Sequence, residues 1–295
     1  MEKSNKKQQK HYLRRDVLRI GGGVALSAPF VGRAWAQTTE INMLAWYGHG
    51  EPDMVGAFEE ANNVKFVPKY YAGGDNMLAL IAQSPPGTYD IILSDGEFVQ
   101  QLNAAGYIEA LDPNDYPFED MLHEDFTKFP GHWDGDTLYS MILRGGHLGV
   151  SYNTTAMSAE EASSYEGFWK PELKGKVGHF DWHLPNLGMM SLKNGNGAGL
   201  WDLSGDQWQA VQDTTMSLRQ QVGGFFDYGG TFNGLKNGEM LAMCGIGDWI
   251  TGVLERDGAP VASVIPKEGG IQFTESYCIG KGSGKADLVK SFIQY

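Results

Sequence analysis

The stretch Glu239–Cys278, EMLAMCGIGDWITGVLERDGAPVASVIPKEGGIQFTESYC, decides how this chain is read. It opens with an apolar run, Met240 to Ile246, which breaks at Gly247-Asp248-Trp249 and passes into a helix-like segment ending near Gly258-Ala259-Pro260. A second apolar run, Val261 to Ile265, meets the turn Pro266-Lys267-Glu268-Gly269-Gly270, and the chain resumes as Ile271 to Ile279. Period and punctuation predict strand, helix, strand, turn, strand. One acid, Asp248, follows the first run and another, Glu275, lies inside the last. Open α/β sheets take ligands at the carboxyl ends of their strands, so these acids mark a candidate cleft.

At the far end of the chain, Lys3 to Arg19 is basic, Ile20 to Phe30 is apolar, and Ala34-Trp35-Ala36 has the small-x-small form of a cleavage site. Residues 1–36 read as an export signal, whose apolar core is too short to span a bilayer. Arg14-Arg15 ahead of Asp16-Val17-Leu18-Arg19 resembles a twin-arginine signal, an address for export to the periplasm. The whole chain carries 23 Lys/Arg and 36 Asp/Glu; without the eight and two of residues 1–36, 15 basic residues face 34 acidic ones, a formal charge of −19. Such a surface repels nucleic acid and anionic membranes and concentrates cations. The remaining 259 or so residues suffice for one large domain or two ordinary lobes. Cys244 and Cys278, the only cysteines, sit in two expected strands and could pair if those strands are neighbours.

From Ile41 the pattern alternates strand and helix. Strands are expected at Ile41–Trp46, Val64–Tyr70, Tyr89–Leu93 and Tyr107–Leu111, with helices at Asp53–Ala61, Asp75–Gln83 and Phe98–Ala105. This is the spacing of a doubly wound α/β layer. Asp112 to Trp133 has no clean period and reads as loop with short helical turns. Leu148–Asn153 is strand-like and carries the chain into a second lobe, with a strand at Val177–Trp182 and helices at Leu187–Lys193 and Asp206–Gln221. The chain stops inside an expected helix, Ala286–Tyr295, with neither glycine cap nor proline stop, as a fragment lacking its last helices would.

Five local motifs in order resemble one family. These are Tyr89-Asp-Ile-Ile-Leu93, Ala105-Gly-Tyr-Ile108 with Leu111-Asp112, Leu148-Gly-Val150 with Asn153, Trp169-Lys-Pro-Glu-Leu-Lys-Gly175, and Pro266-Lys-Glu-Gly-Gly270. The chain is similar over residues 40–295 to the extracellular solute-binding receptors of ABC importers, in particular their polyamine (spermidine/putrescine) branch. The resemblance implies a two-lobed type II periplasmic-binding-protein fold that hinges shut over a ligand in the cleft. Lobe 1 is then expected over 37–147 with 274–295 returning to it, and lobe 2 over 148–273. It also implies a monomeric, non-enzymatic receptor, without cofactor, that hands its ligand to a permease in the inner membrane. Carried over by position, the family's contacts fall on Trp46, Ser94, Asp95, Asp181, Asp248 and Glu275.

The chemistry of these residues suits a cationic amine. Carboxylates form charge-assisted hydrogen bonds to ammonium groups. Trp46, Tyr47, Trp182 and Trp249 offer ring faces for alkyl packing and cation–π contact. Asp181 and Asp248 both precede expected helix starts and could serve as helix caps, but the resemblance favours ligand contact. Glu275, between Phe273 and Tyr277 in mid-strand, needs a partner if buried.

The chain also departs from the family. His183-Leu184-Pro185-Asn186 stands where many polyamine receptors carry a glutamate, Gly245 replaces a tryptophan ahead of the cleft aspartate, and Arg144 enters a usually uncharged region. An arginine in a cleft suits a carboxylate, so an amino acid-like or zwitterionic amine is an alternative ligand, and an ion pair between parts of the chain an alternative role. From a different class, His179-Phe180-Asp181-Trp182-His183 could place His179, Asp181 and His183 on one face of a strand as a metal site or metallohydrolase centre. There is no Gly-x-Ser-x-Gly elbow and no phosphate-binding Gly-Lys-Ser/Thr.

Overall fold

Among the described residues, twelve short strands arise where apolar and β-branched runs are cut by glycine, proline and acid clusters. In the computed structural model, which describes residues 38–116, 122–246 and 248–295, they form two five-stranded sheets and one small hairpin. The expected export signal lies outside the described residues.

The first sheet contains β1 (Thr39–Ala45), β2 (Val64–Tyr70), β3 (Ile91–Asp95), β6 (Met141–Leu148) and β12 (Ile271–Ile279), in the order β2-β1-β3-β12-β6. β1 runs parallel to β2 and β3, while β12 is antiparallel to both β3 and β6. The second sheet contains β7 (Val150–Asn153), β8 (Val177–Phe180), β9 (Val222–Phe226), β10 (Ala242–Cys244) and β11 (Val261–Val264), ordered β11-β7-β10-β8-β9. The hairpin pairs β4 (Trp133–Asp134) with β5 (Thr137–Leu138). Helices such as Pro52–Asn62, Gly74–Ala82, Gly96–Ala104 and His183–Lys193 connect the strands. Two apolar cores result, one containing Leu44, Ile91, Leu93 and Phe98, the other Tyr165, Phe168, Val177 and Met189. Burial of these side chains at roughly 25 cal/mol per Å² of apolar surface is the main force holding each layer.

The chain crosses between the sheets twice. It leaves the first at Leu148 and enters the second at Val150, then returns between Val264 and Ile271. The crossings lie side by side, since Leu148 pairs with Ile271 in one sheet and Val150 with Val264 in the other. Gly149 sits between them, where a Cβ would come within 2.3 Å of the Val264 carbonyl oxygen. Only glycine lets the two backbones approach so closely.

Several expectations change on contact with the structure. β6 and β9 are strands that periodicity does not reveal: Gly145-Gly146 and Gly223-Gly224 mimic turns, and as edge strands both lack the two-sided burial that makes a continuous apolar run. Tyr107–Leu111 is not a strand; isolated bridges join Ile108 to Gly280, just past β12, and Leu111 to Leu138 of the hairpin. Cys244 and Cys278 are free and buried, in β10 and β12 of different sheets, so the pairing considered for neighbouring strands does not form. Burial pushes both thiols up.

Candidate functional site

Strand register brings three charged residues into one row. β12 lies between β3 and β6, and its Glu275 is directly opposite Asp95 on one side and Arg144 on the other. Cross-strand neighbours have Cβ atoms about 5 Å apart, so two acids placed opposite each other repel unless a counter-charge is near. Arg144 supplies it: Nε donates to Glu275 Oε2 at 2.5 Å and Nη2 to Oε1 at 3.2 Å. His49 Nε2 stands 3.1 Å from the same Oε2. Burial alone would raise the Glu275 carboxyl, but the bonds from His49 and Arg144 outweigh it and hold the group below its ordinary range.

Asp95 is treated differently. It is buried at the end of β3, and the indole Nε1 of Trp46 donates to its two oxygens at 3.4 and 3.2 Å. Burial, then the negative charges of Glu97 and Glu275, push its carboxyl well above the usual range despite that bond. Glu97, in the first turn of helix Gly96–Ala104, is exposed but lines the same space, and its partial desolvation there raises its carboxyl too.

These acids border a cavity of about 510 Å³ between the two sheets. Trp46, Asp95 and Glu97 come from the first sheet and its helix; Phe180, Trp182, Tyr228, Ile246 and Trp249 come from the second; Leu148, Ile271, Phe273 and Glu275 come from the crossings and β12. Trp46 lies 5.3 Å from Trp182 and 6.2 Å from Tyr228, centroid to centroid, so aromatic rings of the two sides meet over the cavity. The arrangement can hold a small molecule with a cationic group against Asp95 and Glu97 and apolar surface against the rings.

Of the residues singled out in the sequence, Trp46, Asp95, Trp249 and Glu275 line this cavity together, with Trp182. Tyr47 is half exposed and lines a neighbouring cavity of about 530 Å³ with Tyr70, Tyr71, Asp227 and the shared Tyr228. Ser94 is fully buried, its hydroxyl turned to the Asp95 carbonyl and its own carbonyl accepting from Ser276, so it shapes the row from behind. Asp181 and Asp248 require correction as cavity contacts. Both are exposed and neither is among the lining residues. Asp248 opens helix Asp248–Arg256, where an acid in the first turn complements the helix dipole, and Asp181 follows the last residue of β8.

The metal reading is corrected as well. β8 ends at Phe180, so the alternation needed to align His179, Asp181 and His183 stops before the second ligand. His179 is buried with Nδ1 2.8 Å from Asn186 Oδ1, whereas exposed His183 faces Asp75 across 3.9 Å. Among the described residues no group of three or more His, Cys, Asp or Glu could hold a metal ion. Glu97, Phe180 and Tyr228 went unnoticed in the sequence. The signal for Glu97 was its place two residues after Asp95, at the strand end where α/β sheets expose side chains to a cleft.

Comparison with known proteins agrees with this architecture. Residues 53–295 match the family described as bacterial extracellular solute-binding protein. The chain is 24% identical over 264 residues to spermidine/putrescine-binding periplasmic protein 1 of Haemophilus influenzae, covering 88% of this chain and 71% of that protein. It is 23% identical over 288 residues to the putrescine-binding periplasmic protein PotF of Escherichia coli, covering 92% and 76%. Among solved structures, the TpPotD lipoprotein of Treponema pallidum superposes with a TM-score of 0.72 at 19% identity, over 86% of this chain and 79% of that one. The binding protein MotA of A. tumefaciens, in complex with glucopine, gives 0.70 at 16% identity, over 87% and 78%. The fold is thus the two-lobed type II α/β fold, and the chain belongs to the family of bacterial extracellular solute-binding proteins.

Proposed function

We propose that this protein is the periplasmic substrate-binding component of an ABC importer and that it captures a small cationic amine. The observation that carries this reading is the cavity between the sheets, with Asp95 and Glu97 on one side and aromatic rings around them. The names of the relatives point the same way and make putrescine and spermidine the first ligands to try. The paired crossings at Gly149 and residues 265–270 suit a hinge between lobe 1 and lobe 2, with closure of Trp46 onto Trp182 and Tyr228 sealing the ligand in. The ligand-loaded receptor then docks as a monomer on a permease in the inner membrane, after export by the twin-arginine route. No chemical step is assigned to it. A zwitterionic ligand is disfavoured, because the guanidinium fork of Arg144 that would hold a carboxylate already holds Glu275.

Thermal-shift and calorimetric titration of the purified protein with amines, amino acids and sugars tests the reading. A ligand that binds only the folded state raises the melting temperature by mass action. Stabilisation by amines and not by sugars is expected; binding of a neutral sugar with no response to any amine removes the proposal.

A further inference from the structure

The charge of the cavity is confined to one side. Among the described residues its three acids, Asp95, Glu97 and Glu275, all come from the first sheet or the helix that follows β3. The second sheet contributes aromatic and aliphatic wall, while Asp181 and Asp248 stay exposed outside the lining. Trp46 already touches Trp182 and Tyr228, so this is the distribution with the two sides in contact.

One of the three acids is also spoken for. Glu275 receives two bonds from Arg144 and one close approach from His49, whereas Asp95 receives only the Trp46 indole and Glu97 has no ion pair among the described residues. Arg144 therefore acts as an internal cation in the row where a second ammonium group of a ligand would otherwise find its carboxylate.

We infer that the preferred ligand carries positive charge at one end only and an apolar or aromatic body at the other, and that Arg144 is the specificity-determining residue that makes it so. The inference rests on the amine reading above and narrows it. A single ammonium head sits between Asp95 and Glu97 under Trp46, and the body fills the space against Phe180, Tyr228 and Trp249. A second ammonium would have to give up its hydration against rings and aliphatic side chains, with no free carboxylate among the described lining residues to replace the lost water.

Calorimetry with hexylamine, 2-phenylethylamine, 1,6-diaminohexane and spermidine tests this, because hexylamine and 1,6-diaminohexane differ only by the second amino group. Hexylamine and 2-phenylethylamine are expected to bind at least tenfold tighter than the diamine and spermidine. In Arg144→Met, which frees Glu275, the gap between hexylamine and 1,6-diaminohexane should close or reverse; Arg144→Lys, which keeps the charge, should retain the original order, and circular dichroism verifies that both variants fold. If 1,6-diaminohexane or spermidine binds the unaltered protein as tightly as hexylamine, the inference is overturned while the amine reading survives. An unchanged ratio in folded Arg144→Met removes Arg144 from its role, and failure of every amine to bind removes the underlying reading itself.

Discussion

Trp46 donates its indole N–H to Asp95 across 3.2 Å, so the ring that meets the second sheet is anchored by a carboxyl of the first. The contact serves two ends: it gives a buried acid a donor, and it sets the plane of a ring against which a cation or alkyl chain can lie. A hydrogen bond to a charged group contributes about 1.5–3 kcal/mol, so Trp46→Phe, which keeps a ring but not the donor, should weaken amine binding roughly ten- to hundredfold. Calorimetry at fixed pH measures the loss; an affinity within twofold of the unaltered protein would show that the bond does not orient the site.

Asp95 should couple binding to pH. Its carboxyl is held well above the usual range by burial and by Glu97 and Glu275, so the acid takes up a proton more readily in the folded protein than in the unfolded chain. Stability from this group accordingly falls as pH rises through its raised range, and amine affinity falls as pH drops through the same range. Asp95→Asn removes both effects: at neutral pH the variant should melt at a higher temperature and bind amines at least tenfold more weakly. A lower melting temperature with normal affinity would contradict the assignment.

Asp181→Ala and Asp248→Ala should each leave amine affinity within twofold, because both side chains are exposed and stand outside the cavity lining. Loss of a first-turn acid from helix Asp248–Arg256 should cost only about 0.3–1 kcal/mol of stability. A tenfold loss of binding in either variant would return that acid to the site.

His132 predicts an acid limit to stability. It is buried, with Nδ1 2.6 Å from Ser140 Oγ and Nε2 2.9 Å from Thr274 Oγ1, and burial holds its imidazole down at about 4. Folded His132 stays neutral where the unfolded chain protonates, so its contribution is complete above about pH 6.5 and is lost as pH falls from there towards 4, amounting to roughly 3 kcal/mol at the lower end. Urea midpoints measured between pH 4 and 7 should decline across that window, and more shallowly in His132→Gln.

Gly73 has φ of +85°, and a Cβ there would lie 2.8 Å from Trp182 Cδ1 on the opposite side of the cavity. Gly73→Ala combines a backbone cost of about 1–3 kcal/mol with a wedge between the two sides. The variant should melt earlier and scatter X-rays as a more open particle in the presence of ligand than the unaltered protein does. Identical scattering curves would show that Trp182 gives way without opening the cleft.

How much of this was legible in the sequence depends on what each residue reports. β2 coincides with the expected Val64–Tyr70, and β12 with Ile271–Ile279, because sharp turn signals, Asn62-Asn63 and Gly73-Gly74 around the one and Gly269-Gly270 before the other, bound both strands. The glycine pairs of β6 and β9 hide two edge strands. Trp46, Asp95 and Glu275 were identifiable from strand ends and from the resemblance, but the row that Asp95 and Glu275 form with Arg144 depends on pairing between strands far apart in sequence. Asp181 and Asp248 have the same local signature as Asp95, an acid beside an apolar run. Whether such a side chain enters the cavity or turns to solvent is decided by helix starts and packing that no local pattern records.

The neighbouring crossings on either side of Gly149 also decide where a guest enters. Two strands threading the same spot leave the halves one axle to swing on, and the rings of Trp46, Trp182 and Tyr228 supply the contact that must part when they swing. The doorway is therefore aromatic, with the buried carboxyls of Asp95 and Glu275 set behind indole and phenol faces.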